Sequence, residues 1–381
     1  MTKFFLLLTL IAITLSCNNT KKESKPIPKD DTLLAIEEIA DFMLKDSVIN
    51  SVSISIYKDG KSYTEHFGEL DKGKGNTPTD ETIYEIASVT KTFTGYLIAK
   101  AVIDNKVALE DDVRKYLKGS YPNLEYKGHP IKIKDIITHT ARLPYNIKEM
   151  EEILKNNDES KVRNQISVMF DIAKAFENAT RETFFNELHE IEIDTIPGLK
   201  YSYSNIGANL AGHILETVYK KDYRTLLGEH IFSKAGMNSS YSLYSSKSIL
   251  ANGHNDNGEI MPFLSLDNSF GAEGSIKSTT PDIINYIKFQ LNRDKYVEES
   301  YSKQYQLGKN WVGYFWRIEK NEDDIEYYRH HGGAFGSQNM LYILPEYNLG
   351  IHLITNVSGQ NTTKILANSG KKLIKKLTKQ K

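Results

Sequence analysis

Two residues that could perform acyl-transfer chemistry, Ser88 and Lys91, lie within the stretch YEIASVTKTF. On a helix, residues three apart share one face, so the lysine amine would lie within reach of the serine hydroxyl. A lysine whose pKa is lowered by burial or by nearby positive charge can accept the serine proton. The spacing therefore predicts a serine–lysine nucleophilic pair, with an ordinary polar pair at a helix start as the alternative.

Two further motifs place chemically useful groups at the expected boundaries of helices and strands. Tyr203 and Asn205 come just before a helical pattern, where a phenol and an amide can face a cleft. A buried tyrosine with a capping asparagine is the alternative there. The stretch HHGGAFGS, residues 330–337, sets paired glycines on an expected strand, which lets a ligand or another backbone approach closely. A bulge or turn with incidental histidines is the alternative for this stretch.

Taken in chain order, these motifs resemble those of the serine β-lactamase and penicillin-binding protein superfamily. The branch that they resemble holds class C β-lactamases, D-amino-acid peptidases and related esterases. The segments DIITHTARLP, PGLKYSYSNIGANLAGHILE and GAEGSIKSTTPDIINYI are similar to further family motifs, and the resemblance covers roughly residues 50–360. The three matched motifs are Ser88-x-x-Lys91, Tyr203-x-Asn205 and His331-Gly332-Gly333.

The resemblance implies a role for each matched residue. Ser88 would be the nucleophile, with Lys91 beside it as the general base or as an electrostatic aid to Tyr203. Tyr203 would be the base for acylation and the acid for the leaving group, and which of the two residues takes the first proton stays open. The substrate-binding residues would be Asn205, His331 and Gly333, and the main-chain N–H groups of Ser88 and Ala334 would form the oxyanion hole.

The sequence also departs from the family pattern. His331 stands where β-lactamases have a lysine that helps to bind the substrate carboxylate, which favours the esterases and D-peptidases over the β-lactamases. His330-His331-Gly332 fits the third motif too, but HGGAFG is closer to the esterase-like form, so we prefer His331. Ala141-Arg142 replaces the family's Ser-Gly, so this loop is expected to differ near the cleft.

The sequence thus predicts a β-lactamase-related serine hydrolase that cleaves an ester or amide of a small substrate or peptide through an acyl-enzyme at Ser88. The alternatives are a D-alanyl-D-alanine carboxypeptidase or D-aminopeptidase acting on cell-wall peptides, a β-lactamase, and a non-catalytic binding or sensor protein. We expect no cofactor and no metal, because the sequence lacks a Cys/His cluster and a His-x-x-x-His motif. A net charge of −1 gives no basic excess for nucleic acid, and the oligomeric state is not indicated.

The first 30 residues carry a targeting pattern. Residues 1–16 contain a lysine followed by an apolar run, and they end in a serine. This pattern predicts a secretory signal peptide, and its apolar run is too short to span a bilayer as a helix. Cys17 is the only cysteine and suits lipidation of a bacterial lipoprotein, although TLSC departs from the usual lipobox; an incidental cysteine is the alternative. Residues 17–30 would form the lipidated linker. We expect export across the inner membrane and attachment to a membrane on its periplasmic side.

Strand-like patterns lie near both ends of the chain, and mainly helical patterns lie between them. VSISIYKDGKSYTEHFG predicts a hairpin near the start, and aromatic and β-branched segments after residue 305 predict three or four antiparallel strands. Because strands from the two ends must pair to bury their faces, we expect one antiparallel sheet flanked by helices. This is an α/β (α+β) fold of the β-lactamase/transpeptidase type over residues 31–381, with a helical region inserted at about 104–270.

Overall fold

The computed structural model describes residues 30–155, 165–241, 250–265 and 269–379. The expected signal peptide, Cys17 and nearly all of the linker therefore lie outside the described residues. Within the described ranges, no helix is both long enough and apolar enough to cross a membrane.

The strands form one large antiparallel sheet and three small two-stranded pairs. In chain order they are β1 (Ser51–Lys58), β2 (Lys61–Gly68), β3 (Tyr84–Glu85), β4 (Glu125–Tyr126), β5 (His129–Pro130), β6 (Gly253–His254), β7 (Ile260–Met261), β8 (Lys277–Ser278), β9 (Tyr305–Leu307), β10 (Asn310–Gly313), β11 (Trp316–Lys320), β12 (Glu326–Gly333), β13 (Gln338–Leu344) and β14 (Leu349–Thr355).

The large sheet has eight strands and joins the two ends of the chain. Its order is β2-β1-β14-β13-β12-β11-β10-β9, and β1 pairs with β14 so that Ile54 lies opposite Leu353. The predicted antiparallel sheet built from both chain ends is therefore confirmed. The three remaining pairs are β3 with β8, β4 with β5, and β6 with β7.

Helices cover both faces of this sheet, and most of them belong to the part of the chain between β2 and β9. They are α1 (Asp31–Leu44), α2 (Thr90–Ile103), α3 (Ile133–Ile137), α4 (Lys148–Lys155), α5 (Gln165–Asn178), α6 (Arg181–Glu190), α7 (Asn205–Tyr219), α8 (Tyr223–Leu227), α9 (Ser233–Ala235), α10 (Gly271–Gly274), α11 (Thr280–Leu291), α12 (Lys295–Ser300) and α13 (Thr362–Thr378).

Two hydrophobic cores lie on opposite faces of the sheet. Alternate side chains of β13 enter them, because successive residues of a strand point to opposite faces. Met340 and Tyr342 face the core under α1 and α13, whereas Leu341 and Ile343 face the larger core that holds α2, α7 and α11. Burying both faces fixes the strand register, since a slip of one residue would exchange every core side chain.

Helix α2 runs through the larger core and is buried along nearly its whole length. Gly95 lets this helix touch the main chain after β10, because a Cβ atom at Gly95 would lie 2.1 Å from the main-chain oxygen of Tyr314. The same packing buries Lys91 completely. A rigid, buried helix therefore carries the lysine of the candidate nucleophilic pair.

Candidate active site

Ser88 lies on a tight turn between β3 and the start of α2. The turn is a 3-10 turn over Ala87–Val89, and it leads directly into α2 at Thr90. Ala87 has a φ angle of +44°, in the left-handed region, which costs a non-glycine residue roughly 1–2 kcal/mol. Strain of this kind persists only where the surrounding fold imposes it, and here it fixes the direction of the Ser88 side chain.

The buried amine of Lys91 has three hydrogen-bond partners. Its Nζ atom lies 3.1 Å from Ser88 Oγ, 2.7 Å from Asn205 Oδ1 and 2.7 Å from the main-chain oxygen of Glu273. The amide and carbonyl oxygens can only accept, so they take the two N–H groups of a neutral amine and leave its lone pair facing the Ser88 hydroxyl, whereas an ammonium group would donate to all three oxygens. The amine is therefore held in one position against the serine oxygen.

Tyr203 reaches the same serine oxygen from the other side. Its hydroxyl donates to Ser88 Oγ at 2.8 Å. The phenol ring lies against His139, with ring centres 4.3 Å apart, and near Tyr145 at 5.8 Å. The structure thus brings together the serine, lysine and tyrosine that the sequence motifs singled out.

Burial sets the protonation preferences of this group. Desolvation lowers the pKa of Lys91 well below its usual range, and the nearby carboxyl group of Glu273 opposes this shift. Desolvation also raises the pKa of Glu273 and raises that of the Tyr203 phenol. These directions favour a neutral lysine and a neutral phenol beside the serine.

Asn205 connects the lysine to the next helix rather than facing the cavity freely. Its Oδ1 atom accepts from Lys91, and its amide nitrogen donates to Asn146 Oδ1 at 2.7 Å. Asn205 is buried at the start of α7, directly after the residue that caps this helix, Ser204. A substrate group that bound the amide nitrogen of Asn205 would replace the bond to Asn146.

The two histidines of the third motif have different surroundings on β12. His330 is buried, and the lowering of its pKa comes first from burial and then from the nearby charge of Lys91. His331 is turned towards β13, where its Nε2 atom lies 2.5 Å from Gln338 Oε1. Both line a cavity that Ser88 also lines, but only for His330 does Lys91 contribute to the lowering of the pKa.

The main-chain N–H of Ala334 is already engaged, so it is not a free oxyanion donor as the sequence analysis expected. It donates to the main-chain oxygen of Ser337 at 2.9 Å and closes the β12–β13 hairpin. Hydrogen-bonded and non-hydrogen-bonded pairs alternate along antiparallel strands, so the next pair, Gly333 and Gln338, is non-hydrogen-bonded. The N–H of Gly333 therefore points away from β13.

Among the described residues, no strand pairs with Gly333 on that outer side. The pairing of β11 with β12 ends at Arg317 and Arg329, four positions before Gly333. Gly333 is exposed and lines the same cavity as Ser88. The strand that precedes Ser88 lies close to β12, because a Cβ atom on Gly332 would be 2.2 Å from the main-chain oxygen of Ile86.

A cavity of about 790 Å³ opens at the nucleophile. Besides the motif residues, it is lined by groups that the sequence motifs did not indicate, among them Tyr145, Glu273 and Arg317. The guanidinium of Arg317 lies 4.3 Å from the centre of the Tyr201 ring, and it forms no ion pair with a carboxylate in the described part of the chain. Arg142, by contrast, is bound to Asp194 at 2.6 Å.

Metal ligands are not gathered at this site. Over the described residues, no group of three or more histidine, cysteine, aspartate or glutamate side chains could hold a metal ion. The arrangement places a serine oxygen between an amine and a phenol, with the main-chain N–H of Gly333 at the same cavity.

A sheet joined from both chain ends, with a serine–lysine–tyrosine group at the start of a buried helix, defines the β-lactamase/transpeptidase class of fold and site. The Beta-lactamase family model matches residues 36–374, so this chain belongs to the Beta-lactamase family, and the resemblance seen in its motifs is confirmed.

Solved structures show the same fold. The Yersinia pestis β-lactamase/D-alanine carboxypeptidase in complex with citrate superposes with a TM-score of 0.76 at 19% identity, over 91% of this chain and 98% of that one. The octameric penicillin-binding protein homologue of Pyrococcus abyssi gives 0.72 at 24% identity, over 91% of this chain and 78% of that one.

Similar sequences include longer proteins. Protein flp of Staphylococcus aureus strain MRSA252 is 26% identical over 361 residues, and the match covers 88% of this chain and 65% of that protein. Beta-lactamase-like protein 2 of Dictyostelium discoideum is 27% identical over 316 residues, 78% of this chain and 54% of that protein. The chain thus spans less than two thirds of the length of these relatives.

Proposed function

We propose that this protein is a serine hydrolase that cleaves an ester or amide of a small substrate through an acyl-enzyme at Ser88. One observation carries the proposal: Lys91 Nζ and Tyr203 OH both lie within hydrogen-bonding distance of the same oxygen, Ser88 Oγ. A nucleophile held between a proton acceptor and a proton donor is the arrangement that covalent acyl transfer needs.

In the proposed acylation step, neutral Lys91 takes the proton of Ser88 as the serine oxygen forms a bond to the carbonyl carbon. A base whose pKa lies near the working pH is best suited to this task, which favours the desolvated lysine over the phenol, whose pKa burial raises. The carbonyl oxygen gains negative charge, and the N–H groups of Ser88 and Gly333 would stabilise it.

The tetrahedral intermediate then collapses, and the bond to the leaving group breaks. Tyr203 gives its proton to the departing oxygen or nitrogen and recovers one from protonated Lys91. In deacylation, water adds to the acyl carbon and gives up a proton to the Tyr203–Lys91 pair, and Ser88 regains its proton as the acid leaves. The sum is one ester or amide and one water converted into an acid and an alcohol or amine.

The test uses protein from Asn18 onward, with the wild type and Ser88→Ala side by side. Release of p-nitrophenol from a short ester is followed while the intact protein mass is recorded. We expect turnover and an acyl adduct in the wild type only. Equal background in both proteins without an adduct, with a short ester and with a β-lactam, would refute Ser88 as the nucleophile and leave a binding or sensor role.

The second candidate is a D-alanyl-D-alanine carboxypeptidase, and Arg317 favours it. Its guanidinium lines the cavity and has no carboxylate partner in the described chain, so it is free to bind the carboxylate of a substrate. A β-lactamase activity has less support, because a histidine replaces the lysine of the third motif. Release of D-alanine from a D-Ala-D-Ala peptide, measured beside hydrolysis of a chromogenic cephalosporin, distinguishes the two.

We also propose that Cys17 carries a lipid that anchors the protein to a membrane on the periplasmic side. The support is the apolar run at residues 4–15 followed by a serine and the only cysteine of the chain. Expressed in a bacterial host with radiolabelled palmitate, the full chain should incorporate label and sediment with membranes. Cys17→Ser should do neither, and label in both proteins would refute the anchor.

A further inference from the structure

We infer that the cavity beside Ser88 contains a subsite for the medium-length apolar acyl chain of the substrate. This inference rests on the proposed function, since it names the acyl group that Ser88 would receive. The subsite is the wall that α4, α5 and β7 contribute to the cavity. Its lining side chains are Met150, Leu154, Met169, Ile172, Phe176 and Met261.

The two helices present these side chains in helical stripes. On α4, Met150 and Leu154 are four residues apart, and on α5 the stripe Met169, Ile172 and Phe176 has spacings of three and four. Such spacings place side chains on one face of a helix. Both stripes line the cavity that Ser88 lines, so an apolar wall is continuous with the nucleophile.

The solvent exposure of these side chains increases from the base of the subsite to its mouth. Ile172 is 1% exposed and Phe176 is 5% exposed, so they form a rigid base within the larger core. Leu154 is 45% exposed although it is a large apolar residue. Methionines supply much of the wall between, and their unbranched, polarizable side chains adapt to chains of different length.

The cavity is larger than a short ester requires. Its volume of about 790 Å³ lies within the roughly 300–1,000 Å³ of pockets that enclose drug-sized ligands. An acetyl group would leave the apolar wall in contact with water. A chain that covered it would gain about 0.8 kcal/mol, or up to about fourfold in binding, for each methylene removed from water.

The leaving group is expected beside Tyr203, which would protonate it. Tyr203 has His139 and Tyr145 as its ring neighbours, and Arg317, which also lines the cavity, contacts Tyr201. These polar and aromatic groups suit a hydrophilic leaving group. The apolar stripes therefore fit the part of the substrate that stays on Ser88 as the acyl group.

The experiment compares p-nitrophenyl esters with acetyl, butanoyl, octanoyl and dodecanoyl chains on the full chain without its signal peptide. We expect kcat/KM to rise at least about tenfold from acetyl to octanoyl, since several methylenes become buried. A second series, alkyl acetates of increasing alcohol length, should show no such rise. A flat acyl series, or a rise confined to the alcohol series, overturns the inference while leaving a Ser88-dependent hydrolase intact.

Two aspartate substitutions locate the subsite. Leu154→Asp puts a charge at the mouth of the apolar wall and should lower the octanoyl-to-acetyl ratio of kcat/KM at least about fivefold. Phe170→Asp is the matched control, because Phe170 lies on the neighbouring helix α5, is similarly exposed at 51% and does not line the cavity. Circular dichroism spectra and melting temperatures that match those of the wild type show that both variants fold. Equal ratios in the two variants overturn the assignment.

Binding to Ser88→Ala separates this inference from the proposed function. Calorimetric titration with decanoate needs no turnover, so it reports on the apolar wall alone. Binding that Leu154→Asp weakens and Phe170→Asp does not, combined with no turnover of any ester by the wild type, would refute the hydrolase and support the subsite. No binding and no dependence on chain length would refute the subsite.

Discussion

The amine of Lys91 donates to the main-chain oxygen of Glu273 at 2.7 Å, and the side chain of the same glutamate is buried beside it. Asn209 fixes that carboxyl group by donating to Oε2 at 2.7 Å. The buried glutamate therefore acts electrostatically on the lysine, where it opposes the lowering of the pKa by burial. Its position implies a measurable effect on the pH dependence of the reaction.

Glu273→Gln should shift the acid limb of the kcat/KM profile to lower pH. The carboxyl group raises the pKa of Lys91 against the larger effect of burial, so its removal lowers that pKa further. If neutral Lys91 is the base, the fraction in the active form then increases on the acid side. The same carboxyl group also raises the pKa of the Tyr203 phenol, which affects the basic limb, while His139 and His330, the other titratable groups near Lys91, keep their side chains. The measurement is kcat/KM against pH with a neutral ester.

Glu229→Gln is the control for this change, because Glu229 pairs with Lys221 on the surface. Its profile should coincide with that of the wild type. A shift of the basic limb in Glu273→Gln, with the acid limb unmoved, would show that Lys91 must be protonated. The first proton would then go to Tyr203.

Tyr203→Phe should lower the acylation rate by about 10²–10⁴-fold, the usual contribution of a positioned proton donor or acceptor. Only the bond from Tyr203 OH to Ser88 Oγ is lost, so thermal unfolding should change little. Tyr201→Phe is the matched control, since Tyr201 lines the same cavity and is not hydrogen-bonded to Ser88 in the described structure. Stopped-flow release of p-nitrophenol measures both, and equal rates in the two variants would contradict the role of Tyr203.

Gly332→Ala and Gly333→Ala should differ sharply in stability and in activity. A Cβ atom at Gly332 would lie 2.2 Å from the main-chain oxygen of Ile86, two residues before Ser88, so the strand must move. Overpacking of this kind costs roughly 1–3 kcal/mol, and it also displaces the nucleophile. At Gly333 the nearest atom is the flexible Gln338 amide at 3.2 Å, so that variant should keep its melting temperature and most activity. Similar losses in both would refute this account.

The sequence predicted those parts of the fold that local patterns determine. The predicted hairpin appears as β1 and β2. From residue 305 onward the sequence predicted three or four strands, whereas the structure has six, β9 to β14, because the first predicted segment divides into β9, β10 and β11. The φ angles are positive there at Gly308, Tyr314 and Phe315. A turn made by two aromatic residues in the left-handed region cannot be recognised from composition, because turns are usually marked by Gly, Pro, Asn, Asp or Ser.

The motifs predicted which residues the site contains, but not the features that depend on pairing over long distances. Lys91 and Glu273 are 182 positions apart, and only the packing of α10 against α2 brings them together. The open N–H belongs to Gly333 and not to Ala334 because the hairpin closes between Ala334 and Ser337. A shift of one residue in the pairing of β12 with β13 would change which N–H group is open. A glycine-rich sequence does not specify that pairing.

Arg317→Gln should lower kcat/KM by about 10- to 100-fold for a substrate whose leaving group carries a carboxylate, since hydrogen bonds to charged groups contribute about 1.5–3 kcal/mol. Neutral substrates should change less than about twofold, because Arg317 touches neither Ser88 nor Lys91. The measurement compares a 3-carboxyphenyl ester with the matching phenyl ester. In the wild type, Arg142 is hydrogen-bonded to Asp194, so Arg142→Gln should leave both rates unchanged. An equal loss on both esters in Arg317→Gln would instead mean that the arginine supports the site through its contact with Tyr201.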